Sequence, residues 1–378
     1  MKTRDQKADQ LAAPCEADDR DAPREADRHT VPREADQLAT PRETDQGDMP
    51  READDRAVPR ETDRSGAPLL VGLGELIWDF LPGGRQLGGA PTNFACMSRL
   101  LGNESAVASR IGADDLGAEA SARLAALRVS TKYLQIDREH PTGTVGVRLD
   151  ERGEANFALN ENSAWDYLEW TNALAELALK ADAVCFGTLG QRAVRARRTI
   201  IRFLEATRPG ALRIFDVNLR HSFFDAEMLE RSLQLANVVK LNQPELSILR
   251  GMLRLAPDTE EKMARQLLDL FKLDMVAITR GERGSLLVTA GATCEHGGIP
   301  VQVKDTIGAG DAFIAALAHY HLRRAPLPLI SEAANRTGAW IATQSGATPS
   351  VDAQALKRIL RDLDEINIAP AGGATTTT

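Results

Sequence analysis

Cysteine is scarce in this sequence: four in 378 residues, at Cys15, Cys96, Cys185 and Cys294, in neither disulfide-framework nor metal-ligand spacing. That usage fits a reducing compartment and gives no support to a stapled secreted fold. The six histidines form no HExxH and join no cysteine cluster, which argues against a zinc enzyme. No apolar run approaches the roughly 18 residues that a membrane span needs, so no membrane partner is expected. The N-terminal stretch lacks an apolar core for secretion and carries too many acids for an organelle presequence, so the expected location is the cytoplasm.

What is present divides unevenly. Through residue 66 the chain repeats with a period of nine: proline falls at 14, 23, 32, 41, 50 and 59, and most copies spell "PREAD" or "PRETD". Such a segment has almost nothing apolar to bury and is expected to be a disordered, solvated tail, as are the last ten residues, 369–378. The glycines a calcium-binding nonapeptide roll requires are absent. The tail holds 12 Lys+Arg and 18 Asp+Glu, which leaves the body of the chain at a net charge of only −2. A nearly neutral body offers no electrostatic footprint for nucleic acid.

From about residue 67 to 368 the pattern is that of a folded domain. "PLLVGLGE", "AVCFGTL", "LRIFDVN", "NVVKLN" and "DMVAITRG" read as buried strands; stretches near 91–102, 192–206, 225–235, 259–271, 309–323 and 328–343 read as helices. Strand followed by helix, repeated, predicts an α/β three-layer sandwich around a mostly parallel sheet. "GTVGVRLDERGEANFALN" (143–160) breaks the rhythm with two β-like runs around "DERGE", and predicts a small antiparallel projection.

In such a fold ligands bind at the carboxyl ends of the strands, and polar clusters gather there. In "GLGELIWDFLPGGRQLGGAPTNFA", Glu75 and Asp79 leave a strand end, Gly88 and Gly89 let backbone approach a ligand, and Asn93 sits in the next helix. A carboxylate, bare amides and a carboxamide together suit a polyhydroxylated substrate. The GxG within it is weak evidence for a dinucleotide site, since Ile77 stands where the third glycine belongs. "FDVNLR" offers Asp216, Asn218 and Arg220; "KLNQPEL" offers Asn242 and Glu245; "TRGERGS" offers Thr279, Gly281 and Gly284. Each alone is an ordinary Asx turn or cap. "DTIGAGD" adds Gly308, Ala309 and Gly310 ahead of a helix, an anion cradle, with the carboxylate of Asp311 in the same first turn.

"GGAPTNFA" and "DTIGAGDAF", with "SRIGADDLG", "FDVNLR", "KLNQPEL" and "TRGERGS" in order between them, resemble the signatures of the PfkB (ribokinase-like) carbohydrate kinases over roughly 68–365. "GELIWDFLP" followed by "GGAPTN" is most similar to the fructokinases of that family. The resemblance implies an ATP-dependent sugar kinase with a β lid over about 143–160. Asp311 would be the catalytic base, and the amides of Gly308, Ala309 and Gly310 the anion hole. Asp79, Gly88, Gly89 and Asn93 would hold the sugar. Asn242 and Glu245 would organise Mg²⁺ and the ATP phosphates, Thr279, Gly281 and Gly284 would follow the nucleotide, Asn335 would lie near the adenine, and Asp305 would help bind K⁺. Family lids often pair into dimers, and 143–160 is the segment expected to do so. "HSFF" after "DVNLR" departs from the tryptophan-containing run of many relatives. Ribokinase, 2-keto-3-deoxygluconate kinase and nucleoside kinase activities share this constellation, as would a catalytically silent kinase-like scaffold.

Removing residues 1–65 should leave fold and activity intact, because the repeat ends before the first strand. Thermal melting and catalytic efficiency of the truncated chain check this; a large fall in either would contradict it.

Overall fold

The computed structural model describes residues 66–81, 84–149, 155–256, 258–346 and 353–368. In chain order it contains β1 (Leu69–Leu73), β2 (Ile77–Leu81), β3 (Gly84–Gly88), α1 (Ala90–Leu100), β4 (Glu104–Gly112), α2 (Asp115–Ala126), β5 (Leu134–Asp137), β6 (Gly143–Leu149) and β7 (Ala155–Leu159). There follow α3 (Asn172–Lys180), β8 (Ala183–Gly187), α4 (Val194–Glu205), β9 (Leu212–Asp216), α5 (Ala226–Leu235), β10 (Val238–Asn242), α6 (Gln243–Met252) and α7 (Glu260–Phe271). The chain continues through β11 (Met275–Thr279), β12 (Ser285–Val288), β13 (Thr293–His296), α8 (Ala309–Leu322), α9 (Leu327–Ala342) and α10 (Ala353–Ile368).

Nine strands form the main sheet in the order β13-β12-β11-β10-β9-β8-β1-β4-β5. All neighbours from β11 to β5 are parallel, and β12 and β13 finish one edge antiparallel. The strands read as continuous apolar runs because alternate residues enter two cores. Val71, Val184 and Phe186 pack beneath α4 and α7, while Leu70, Ala183 and Cys185 face α1, α8 and α9. The predicted three layers are present.

The small sheet, in the order β3-β2-β6-β7, is larger than the predicted two-stranded projection. β6 and β7 pair antiparallel as expected, but β6 also runs parallel to β2, which turns back antiparallel into β3. The "DERGE" turn and the tails at 1–65 and 369–378 lie outside the described residues. Strand β2 was hidden in a stretch rich in glycine and polar residues; Trp78 and Leu87 supply its anchorage by packing on Cys96, Val107 and Ile111.

The entry to β6 is fixed by Asp114. Its carboxylate caps α2 through the Gly117 amide at 2.8 Å and also accepts from the Thr142 amide at 2.8 Å and the Thr142 hydroxyl at 2.6 Å. Those hydrogen bonds hold its carboxyl below the usual range against the partial burial that would raise it. A depressed carboxylate contributes stability above its unfolded pKa and loses it as pH falls through the folded value. Asp114→Ala should therefore cost about 1–2 kcal/mol at neutral pH, with a smaller difference from wild type in acid. Urea unfolding at the two pH values checks this; equal stability at neutral pH would contradict it.

Candidate active site

β1, β8, β9 and β10 deliver their carboxyl ends to one cavity of about 750 Å³, into which the N-termini of α1 and α8 also open. It lies beside β1 and β8, where the strand order turns, with β4 and β5 on one side and β9 to β11 on the other, the switch point at which such folds bind ligands. Its lining combines the polar Glu75, Asp79, Asn93, Asp216 and Asp311 with the apolar Ile77, Val145, Leu159 and Leu189.

Helix α8 starts at Gly308, whose φ of 79° is left-handed and whose position has no side-chain cap. Its first-turn amides are thus left for an outside acceptor. Gly308, Gly310 and Asp311 line the cavity. Ala309 does not: its amide donates to the Thr306 carbonyl at 3.2 Å, so the expected three-amide cradle narrows on that side. A Cβ on Gly310 would come within 3.0 Å of Lys240 Nζ, which places the ammonium beside the bare backbone.

Asp311 is buried, and Asn93 Nδ2 of α1 donates to its Oδ2 at 2.7 Å. Burial, reinforced by the nearby charge of Asp216, raises its carboxyl to about 7, against the opposing pull of Asn93, Lys240 and Arg220. Asp216 and Lys240 stand opposite one another on β9 and β10 and pair at 3.0 Å, both buried. Asp79, on β2, is raised to about 6 by burial; Arg220 opposes the rise and Asp305 adds to it. Gly88 does not line the cavity: the Asp79 carboxylate fills the space in front of its Cα. Gly89 does, with a φ of 98° and the Glu75 carbonyl 2.5 Å from where a Cβ would stand. Only glycine fits there.

Asn242 and Glu245 form a capping box on α6. Asn242 accepts from the Glu245 amide at 2.9 Å, and Glu245 accepts from the amides of Asn242 at 2.8 Å and Leu219 at 3.1 Å. Burial raises the Glu245 carboxyl although Lys240 pulls the other way. Among the described residues no three His, Cys, Asp or Glu side chains gather as a ready metal cage. Asn242 and Glu245 both line the cavity and are the residues placed to meet a metal ion that keeps most of its waters.

The remaining expected residues lie outside the cavity lining. Thr279 ends β11 in register with Asn242. Gly281 is left-handed, and Gly284 is required because a Cβ would strike the His296 carbonyl and the Gly298 amide. Asn335 is tied to Ser285 at 2.8 Å, joining α9 to β12. Asp305 accepts from the amides of Ile307 at 3.0 Å and Gly346 at 3.1 Å, closing the loop that leads into α8. Sequence reasoning gave no role to Lys240, although a lysine inside the apolar run "NVVKLN" signals a buried partner.

An acid whose ionisation the fold opposes costs stability: the folded state binds the proton more tightly than the unfolded chain, so stability falls as pH rises from about 4 through about 7. Asp311→Asn keeps an acceptor for Asn93 and removes that cost. It should raise stability by about 1–3 kcal/mol at pH 8 and converge on wild type near pH 4. Thermal melting at both values checks this, and a variant less stable than wild type at pH 8 would contradict it.

Residues 83–354 match the pfkB family carbohydrate kinase. The chain is 32% identical to a fructokinase of Klebsiella pneumoniae over 65% of this chain and 81% of that relative. It is 30% identical to fructokinase-1 of Zea mays over 77% of this chain and 97% of the maize protein. Among solved structures, the fructokinase of Vibrio cholerae superposes with a TM-score of 0.66 at 25% identity, covering 78% of this chain and 99% of that one. That enzyme has been solved with fructose, ADP and calcium ion bound and, as a double mutant, with fructose, ADP and potassium ion bound. The shared fold and the family match over most of the chain make this protein a member of the pfkB family of carbohydrate kinases.

Proposed function

We propose that the cavity binds a sugar and the phosphates of ATP and transfers the γ-phosphoryl group to a primary hydroxyl, with fructose to fructose 6-phosphate as the leading reaction. The observation that carries this is the juxtaposition of Asp311, buried and held by Asn93 at 2.7 Å, with the uncapped N-terminus of the helix it belongs to. Base and anion cradle then serve two partners. Asp311 faces the acceptor hydroxyl and takes its proton as that oxygen attacks phosphorus, while the amides of Gly308 and Gly310 and the Lys240 ammonium receive the phosphoryl charge. The β,γ-bridging oxygen leaves with ADP. Positioning and charge stabilisation are the main requirements of such a transfer.

Asp79, Asn93 and the backbone at Gly89 form the polar wall for sugar hydroxyls, and Ile77, Val145, Leu159 and Leu189 the wall for carbon faces. In this reading the catalytic unit spans 67–368, and the small sheet is its lid and the surface for pairing two copies. A divalent ion beside Glu245 would neutralise phosphate charge, and a monovalent ion by the Asp305 loop would support the turn into α8. The relatives that carry the name fructokinase favour fructose over the other sugars.

Turnover of a sugar and nucleoside panel with ATP, read as ADP release, tests the assignment; fructose should give the highest kcat/KM, and a wild-type protein inactive on every acceptor would contradict it. Asp311→Asn should lower kcat by about 10²–10⁴-fold while nucleotide Kd holds or tightens. Near wild-type turnover would eliminate the base.

A further inference from the structure

Glu75 plays no part in the transfer just described, yet it stands in the wall of the same cavity. It follows β1 at the switch point of the sheet and is 2% exposed. Its carbonyl accepts from the Thr92 hydroxyl at 3.2 Å, its side chain packs against the Cα of Gly89, and the amides of Glu75 itself and of Ala90, the first residue of α1, lie close enough to favour its charged form. Helix α1 has glycine at its N-cap and no side-chain cap of its own, and Glu75 meets that first turn from the end of β1 through its carbonyl on Thr92 and its side chain on Gly89. The carboxyl oxygen Oε2 is buried without a hydrogen-bond partner and lies against Gly190.

Charge accounting separates Glu75 from its neighbours. The charges that reach it are negative, Asp311 from α8 and Asp216 from β9. Lys240 on β10 is hydrogen-bonded to Asp216 and does not reach Glu75, and Asn93 of α1 donates to Asp311. Gly190, after β8, presents backbone, and the Cys185 thiol beneath is pushed well above its ordinary pKa and stays neutral. A buried carboxylate with no cation takes up a proton instead. Burial lifts Glu75 to about 8, only partly offset by the two amides.

We propose that Glu75 is a positioning residue that works as a neutral carboxylic acid, bracing the α1 N-terminus so that Gly89 and Asn93 meet sugar and Asp311, and that its ionisation disables the site. Oε2 carries the proton, since it is the oxygen buried with no donor to stabilise a charge. Ionisation would add an uncompensated charge beside Asp311 and Asp216. This would oppose ionisation of the base and the approach of phosphate. The inference rests on the kinase reading above for its effect on rate, but not for the protonation state.

The test uses the full chain and its Glu75→Gln and Glu75→Ala variants. Glu75→Gln mimics the neutral acid: kcat/KM at pH 7 should stay within about threefold of wild type, whereas Glu75→Ala should lose about tenfold or more by removing the side chain packed against Gly89 at the start of α1. Wild-type kcat/KM should fall through a pKa near 8, and that alkaline limb should vanish in Glu75→Gln. Infrared difference spectra of wild type minus Glu75→Gln at pH 7 should show a neutral-carboxyl C=O stretch, whichever sugar is turned over. Absence of that band overturns the proposal even if no acceptor is phosphorylated. A band with an unchanged alkaline limb, or Glu75→Gln as damaged as Glu75→Ala, overturns the positioning role while leaving the kinase reading intact.

Discussion

A carboxylate kept out of water at the end of a helix is the constraint around which this molecule is arranged. Asp311 gains one direct amide, from Asn93, and two indirect cations, Lys240 and Arg220, against burial and the charge of Asp216. Each of these groups comes from a different element: α1, β10, the segment after β9, and β9 itself. The parallel register that sets Asp216 opposite Lys240 and the packing that seats α8 against α1 are therefore conditions for the chemistry as well as for the fold. In the proposed reaction Asp311 would gain basicity from the same burial that costs the protein stability.

Helices α1 and α8 meet at both ends. Near the cavity the link is Asn93 to Asp311; at the far end His319 faces Asn103 at 3.1 Å, and Arg323 donates to the same Asn103 oxygen. Burial and Arg323 drive the His319 ring down to about 3, so the imidazole of this second link is neutral throughout the physiological range. Two rigid contacts fix the pair axially. That allows a 2.7 Å hydrogen bond between residues 218 positions apart to be held by packing.

Strands β1 and β8 to β11 were legible in the sequence because both faces are buried and each reads as one apolar run. β4, "ESAVASRIG", was not, since its small alternating serines and alanines carry no strong signal, nor were β12 and β13, each only four residues long. α6 escaped notice because it starts directly at the end of β10, with Asn242 closing one element and capping the next. At the site, the motif residues were readable because glycine, asparagine and carboxylate at strand ends are unusual company. Lys240 was not, since its position beside Gly310 depends on pairing between strands whose order the sequence does not state.

The central claim is that Asp311 is the base and that desolvation tunes it. The most direct measurement is the acid limb of kcat/KM for the sugar, which reports essential groups of the free enzyme. The account predicts that activity rises through an apparent pKa near 7, well above that of an ordinary carboxylate. A rate that stays flat down to the range of an exposed aspartate, about 4, would contradict it.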